Sequence, residues 1–345
     1  MTTVDITGAI HGADGKFAGH IAGEPDDGLS LEHPVVAASP YADLKGKDRV
    51  EAMKADLEKA VGDLVESGQL GAYLDARRAN GMSRWSTNNQ MLAALQVAQR
   101  EGLTEPDQIF TRMGTIDARG FRQWEKAGRE VTKGQKALYI LGPNKKWITE
   151  EDPDRPGKTR KKQITAGFSA VAVFEASQTE GEPIAQHPAK PFTGEVESGT
   201  SKALQDFVAS RGFSYHEEEI AGCDPVNLTG TLAYVSPTSK KLVVDSRLSD
   251  TQKAQALAHE AGHIACGHCD GDAPDYASHR GQMESEAESF SYMVLRERGI
   301  DAAQPNSFSP GYVAGWSKGD PKAVTQALDK AGKAFNALRD EAGWE

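Results

Sequence analysis

The chain has 345 residues, a net charge of −11, 38% hydrophobic and 26% charged residues. That length exceeds one compact core, so two domains are expected. No apolar run reaches the about 18 residues of a membrane span. The opening MTTVDITGAIHGADGKFAGH lacks the basic-then-apolar order of a secretory signal. Three cysteines make no disulfide framework and suit a reducing cytosol.

Residues 1–45 are rich in Gly, Asp, Pro and Ala without a sustained period, which predicts a disordered or loosely ordered arm. From Lys47 to Asn80, Val50, Met53, Leu57, Val61, Leu64 and Leu74 recur at helical spacing. SRWSTNNQMLAALQVAQREG predicts a helix capped by Ser86 or Thr87 and ended by Gly102. A short helix follows, then a turn at Gly134 and strands over Ala137–Leu141 and Phe168–Phe174, with the charged loop Asn144–Gln163 as a hairpin tip. GEPIAQHPAKPFTGEVESGTS reads as a linker.

SKALQDFVASRG predicts a helix stopped by Gly212, and GTLAYVSPTSKKLVVDS a hairpin. SDTQKAQALAHEAGHIACGH opens with Ser249 and Gln252 in capping-box spacing. QMESEAESFSYMVLRERG is a helix stopped by Gly299, and further helices end the chain. The divisions are an arm at 1–45, a mixed helix and antiparallel-sheet domain at 46–183, a linker at 184–200 and a second domain at 201–345. The fold class is α+β.

His259-Glu260-Ala261-Gly262-His263 is HExxH. Residues four apart share a helix face, so His259 and His263 can reach one ion, and Glu260 can act on water as general base. One catalytic Zn2+ is the expected cofactor, and it needs a third protein ligand. The following helix offers Glu284, with Glu288 one turn later on the same face as the alternative ligand. Glu286 points about 200° away from Glu284 and is the weaker ligand candidate. The strand KKLVVDS before the zinc helix is expected to bind an extended peptide by its edge. Tyr312 and Trp316, four apart, are candidates for lining the cleft, although such pairs are commonly core.

Cys266 and Cys269 form CxxC beside this motif. They fall at the C-terminal end of the helix, where the dipole has the wrong sign for a reactive thiolate. Cys223 and His268 are the partners that would complete a structural zinc site with them, but small buried thiols are the simpler reading. His268 is about 140° round the helix from His263 and is not a natural co-ligand.

A basic excess runs from Asp75 to Glu175 inside the acidic chain. It points to a polyanionic partner, although KKWITEEDPDRPGKTRKKQ supplies much of it and a solvated loop explains it as well. Arg84, Arg122, Arg129, Lys133 and Lys136 are candidates for phosphate contacts. Trp85, Phe121 and Trp124 are candidates for base stacking, with Asn88, Asn89 and Gln90 as polar contacts. Each aromatic taken singly is more commonly core.

The order S-R-W-S-x-x-N, then G-F-x-x-W-x-x-x-G-R-x-V-x-K-G-x-K, then V-F-x-x-S-Q-T-E-G resembles the N-terminal domain of ArdC-type antirestriction proteins, over Lys47 to Glu182. Asp250 to Leu338, including Ser309 to Trp316, resembles their zincin-like domain less fully. The Glu284-to-Glu288 segment also resembles gluzincins and ImmA/IrrE-type peptidases. The resemblance implies Glu284 as third ligand and Glu288 as the acceptor that holds a ligand histidine in its tautomer. It further implies a plasmid or phage protein whose N-terminal domain binds single-stranded DNA and shields it from restriction. The residue inside HExxH that is large in the family is Gly262 here.

Overall fold

A computed structural model describes residues 37–153, 155, 157–184, 194–271, 276–300 and 320–344, together with three short strands near the N-terminus. Those strands, β1 (Thr3–Val4), β2 (Ala9–His11) and β3 (Phe17–His20), form an antiparallel meander within a unit of its own, Met1–Val36. The arm expected over 1–45 spans this unit and the first residues of the main one. Its start carries strand pairing. Its end belongs to the main unit, where Tyr41 is buried and donates to Asp56 Oδ2 at 2.8 Å.

In the main unit, the long helix expected from Lys47 to Asn80 is two. α1 (Gly46–Glu66) and α2 (Leu70–Ala79) are separated at Gly68, whose φ of +70° suits glycine. α3 (Thr87–Glu101) starts where the Ser86 hydroxyl accepts the Asn89 N–H and stops at Gly102 with φ +69°. α4 (Pro106–Met113), β4 (Ala118–Arg119), α5 (Phe121–Lys126) and β5 (Arg129–Val131) lead into the long hairpin of β6 (Leu138–Glu151) and β7 (Thr159–Glu175). Most of the expected loop Asn144–Gln163 is paired strand, in register from Lys145 with Thr165 to Glu151 with Thr159. β8 (Thr179–Gly181) pairs with β5.

α6 (Thr200–Ser210) leads to a second sheet of β9 (Ser214–Glu218), β10 (Ala233–Ser236) and β11 (Lys241–Asp245). Its order is β10-β11-β9, antiparallel for β10 with β11 and parallel for β11 with β9. The strand KKLVVDS is therefore the paired centre, and β10 is the edge beside the next helix. α7 (Asp250–Ala265), α8 (Tyr276–Glu297) and α9 (Pro321–Ala342) complete the described elements.

The expected linker separates segments that share one hydrophobic cluster, from Met53 and Leu74 through Phe290 to Phe335. Its residues 185–193 lie outside the described set. Ion pairs also join the halves: Arg296 Nε to Asp75 Oδ1 at 2.8 Å and Arg78 Nη1 to Glu297 Oε2 at 2.5 Å. Arg77 is buried and hydrogen-bonded to Tyr73 and Thr87; a Cβ on Gly332 of α9 would fall 2.3 Å from its Nε. The missing side chain at Gly332 leaves room for that guanidinium against α9.

Candidate functional site

The turn between β11 and α7 is pinned before the helix begins. Asp245, fully buried, accepts from Arg247 Nε at 3.0 Å, Arg247 Nη2 at 2.8 Å and the Ile220 N–H at 2.8 Å. Ser249 and Gln252 then form the capping box, satisfying N–H groups that the first turn leaves unpaired. One face of α7 buries Ala254, Leu257, Ala258 and Ala261. At Gly262 the backbone of α8 approaches closely: a Cβ there would lie 2.8 Å from the Ala287 carbonyl oxygen.

That approach brings Glu284 to the two histidines. His259 Nε2 and His263 Nε2 are 3.3 Å apart. Glu284 Oε2 lies 3.3 Å from His259 Nε2, and Glu284 Oε1 lies 3.7 Å from His263 Nε2. Donors about 2.0–2.2 Å from a tetrahedral ion are themselves about 3.3–3.6 Å apart. The triangle therefore has the dimensions and the N,N,O chemistry of a divalent-cation site. Of the two carboxylates the spacing left open, Glu284 joins the cluster, while Glu288 lies close enough to His259 to favour its charged form.

Electrostatics suit a ligand role at His263 and Glu284, whereas the burial of His259 is outweighed by its acidic neighbours, Glu284 foremost, which favour its charged form. Burial and the nearby His259 hold His263 neutral, as a ligand histidine must be. Burial opposes ionisation of Glu284, but hydrogen bonds with His259 and the Tyr276 hydroxyl outweigh it and lower its pKa. Burial raises Glu260 above the carboxylate range, with Glu284 adding to the effect and His259 opposing it. The Val235 N–H of edge strand β10 favours the ionised form of Glu260, which places the expected base near that strand. Tyr276 was not singled out in the sequence; its ring centroid lies 6.2 Å from that of His263.

Behind the triangle is a second layer. His263 Nδ1 meets His268 Nδ1 at 2.9 Å, and His268 Nε2 meets Glu286 Oε2 at 2.8 Å. Gln282 Nε2 donates to Glu286 Oε1 at 2.7 Å, and Lys330 Nζ lies 2.8 Å from Glu286 Oε2. The partner of His263 Nδ1 is thus His268, while Glu288 lies on the side of the other ligand, His259. Cys266 and Cys269 are buried free thiols, pushed by burial up to about 12 and about 11. Few thiolates form at such values, in keeping with the inert reading of the CxxC. Tyr312 and Trp316 lie outside the described residues.

Several nucleic-acid candidates turn inward. Trp124 is fully buried and donates from Nε1 to the Phe174 carbonyl at 2.9 Å, so it offers no face to a base. Arg129 donates to Thr179 Oγ1 at 2.8 Å, to the Thr179 carbonyl at 2.7 Å and to the Glu182 carbonyl. Asn89 clamps β6, its amide bonded to both the N–H and carbonyl of Leu141. Gln90 is buried, bonded to Asn80 and the Trp85 carbonyl. Arg84 is exposed but forked onto Asp340 at 2.6 and 3.0 Å. Trp85 and Asn88 are half-buried, while Phe121, Arg122, Lys133 and Lys136 are exposed.

The hairpin arm offers a surface the sequence reading assigned to a loop. Trp147 is 63% exposed. Side chains alternate along a strand, and the register pairs Trp147 with Gln163 and Thr149 with Lys161. Lys145, Trp147 and Lys161 therefore share one face, whereas Arg160 and Lys162 pair with Glu150.

Residues 219–309 match the model of peptidase family M78, described as the IrrE N-terminal-like domain. The C-terminal part thus carries a peptidase domain of this kind. Two crystal structures of the antirestriction protein ArdC from the R388 plasmid are similar to the chain, each at 20% identity. The metal-free one has a TM-score of 0.41 and covers 75% of this chain and 85% of its own. The Mn(II)-bound one has a TM-score of 0.42 and covers 83% and 97%. No curated protein matches the chain by sequence. No helix among the described residues is long and apolar enough to cross a membrane.

Proposed function

We propose that the chain is a zinc-dependent endopeptidase that also binds single-stranded DNA, in the manner of an antirestriction protein of a mobile element. The observation that carries the peptidase reading is the triangle of His259, His263 and Glu284, with Glu260 between it and an edge strand.

In this reading the three side chains would hold Zn2+, which would supply Lewis acidity for a water and a peptide carbonyl. An extended substrate pairs with β10, which among the described strands is an edge of the sheet. Glu260 takes the proton from water as its oxygen attacks the carbonyl and returns it to the departing amine. Burial raises its pKa and so suits it to both halves of that exchange. Tyr276, bonded to Glu284, helps hold that carboxylate in place.

The DNA reading rests on the basic stretch, its motif resemblance, and the arm where Lys145, Trp147 and Lys161 share a face. A cation–aromatic–cation face of this kind stacks a base and follows a phosphate backbone.

A degenerate library of extended peptides, incubated with the zinc-loaded protein, tests the first part. Cleavage by the wild type and its loss in Glu260→Gln with zinc retained are expected. Equal cleavage by both proteins would overturn the mechanism.

A further inference from the structure

We infer that His268, Glu286 and Lys330 are positioning residues that fix the tautomer and orientation of His263, and so set how tightly the centre holds its metal. The inference rests on the metal-centre reading above.

The hydrogen-bond chain allows one arrangement of protons. A metal on His263 Nε2 needs the lone pair there, so the proton of this neutral ring sits on Nδ1. His263 Nδ1 lies 2.9 Å from His268 Nδ1, which must then accept. The proton of His268 is consequently on Nε2, which donates to Glu286 Oε2 at 2.8 Å. Glu286 is buried, and both of its oxygens are engaged, one by Gln282 and one by His268 and Lys330. Every donor in the chain has an acceptor, across the end of α7, the middle of α8 and the face of α9. A ring held at its rear nitrogen keeps its front nitrogen aimed, and the carboxylate behind it raises its basicity as a ligand.

Cys266, His268 and Glu286 also have donor atoms within 4.8 Å of one another, the dimensions of a second metal site. The ammonium of Lys330 at 2.8 Å from Glu286 already neutralises that carboxylate and would repel an incoming cation. Both nitrogens of His268 are spent on His263 and Glu286. The cluster is therefore a support for the first centre.

The test is titration of the full chain with Zn2+ followed by calorimetry, and with Co2+ followed by its visible absorption. His268→Leu should weaken Zn2+ binding about 10- to 100-fold and shift the Co2+ bands, and His268→Gln, able to accept and donate, should recover part of both. A His268→Leu protein that binds Zn2+ within about twofold of wild type, with an unchanged Co2+ spectrum, would overturn the inference. Should that variant lose its helical circular dichroism, Lys330→Met decides: a several-fold loss supports the chain, and wild-type affinity overturns it. A wild type that binds neither metal overturns the metal-centre reading itself, a separate result.

Discussion

Gly262 on α7 and Ala287 on α8 meet almost backbone to backbone. A Cβ added at 262 would lie 2.8 Å from the Ala287 carbonyl oxygen and 2.9 Å from its Cα. These atoms belong to the main chain, so no side-chain rotation relieves the clash. Gly262 precedes His263 and Ala287 lies one turn after Glu284, so the close approach falls on the two helices that carry the metal triangle. Gly262→Ala should therefore push α8 outward, cost about 1–3 kcal/mol of stability and weaken metal binding. Thermal melting with zinc titration checks this. Unchanged melting and affinity would show that the helices have slack.

Asp245 supplies a pH dependence remote from the metal ligands. The Arg247 guanidinium, followed by backbone N–H groups from Ile220 and Arg247, holds its carboxyl well below the usual carboxylate range, against the effect of burial. The unfolded value is about 3.9, so this stabilisation is fully present above it and is lost as pH falls through the lower folded value. Asp245→Asn should lower the melting temperature at neutral pH, and the gap from wild type should narrow in acid. A gap that stays constant from neutral to strongly acidic pH would contradict the assignment.

The cysteines should be silent in the native state. Cys223, Cys266 and Cys269 are all buried, and burial raises each thiol. A disulfide reagent at mildly alkaline pH should react slowly with the folded chain and fast after denaturation. Rapid native reaction of Cys266 or Cys269 would revive a redox part for the CxxC.

On the arm, Trp147→Ala should weaken single-strand binding by about 1–3 kcal/mol, and Lys145→Gln with Lys161→Gln should flatten its salt dependence. Arg129→Gln should instead lower stability, because that side chain holds β8 and the chain beyond it. Fluorescence titration across a salt series separates the two. Undiminished binding by the Trp147 and lysine variants would move the interface off the arm.

Local signals were the legible ones. The capping box at Ser249, the stop at Gly102 and the shared face of His259 and His263 depend on residues within a turn or two, and all are seen. The pairing of His268 with Glu286 was not legible, for a geometric reason. α7 ends at Ala265, so the helical rotation used to place His268 relative to His263 no longer applies there. Glu286 does point away from Glu284, and that direction is what carries it to His268.

Long-range pairing explains the other differences. KKLVVDS became a central strand because β9 took its second edge, a parallel contact from well upstream. Trp124 on α5 turns inward and bonds to the Phe174 carbonyl of β7, fifty residues on. The charged run after Asn144 became strand because it could pair with Thr159–Thr165, although its composition was that of a loop.

The most direct test of the metal centre is a zinc titration of wild type, Glu284→Gln and Glu288→Gln side by side. One Zn2+ per chain, lost or greatly weakened in Glu284→Gln and largely kept in Glu288→Gln, is the predicted result. Tight binding by Glu284→Gln with loss in Glu288→Gln would contradict the triangle and move the third ligand one turn along α8.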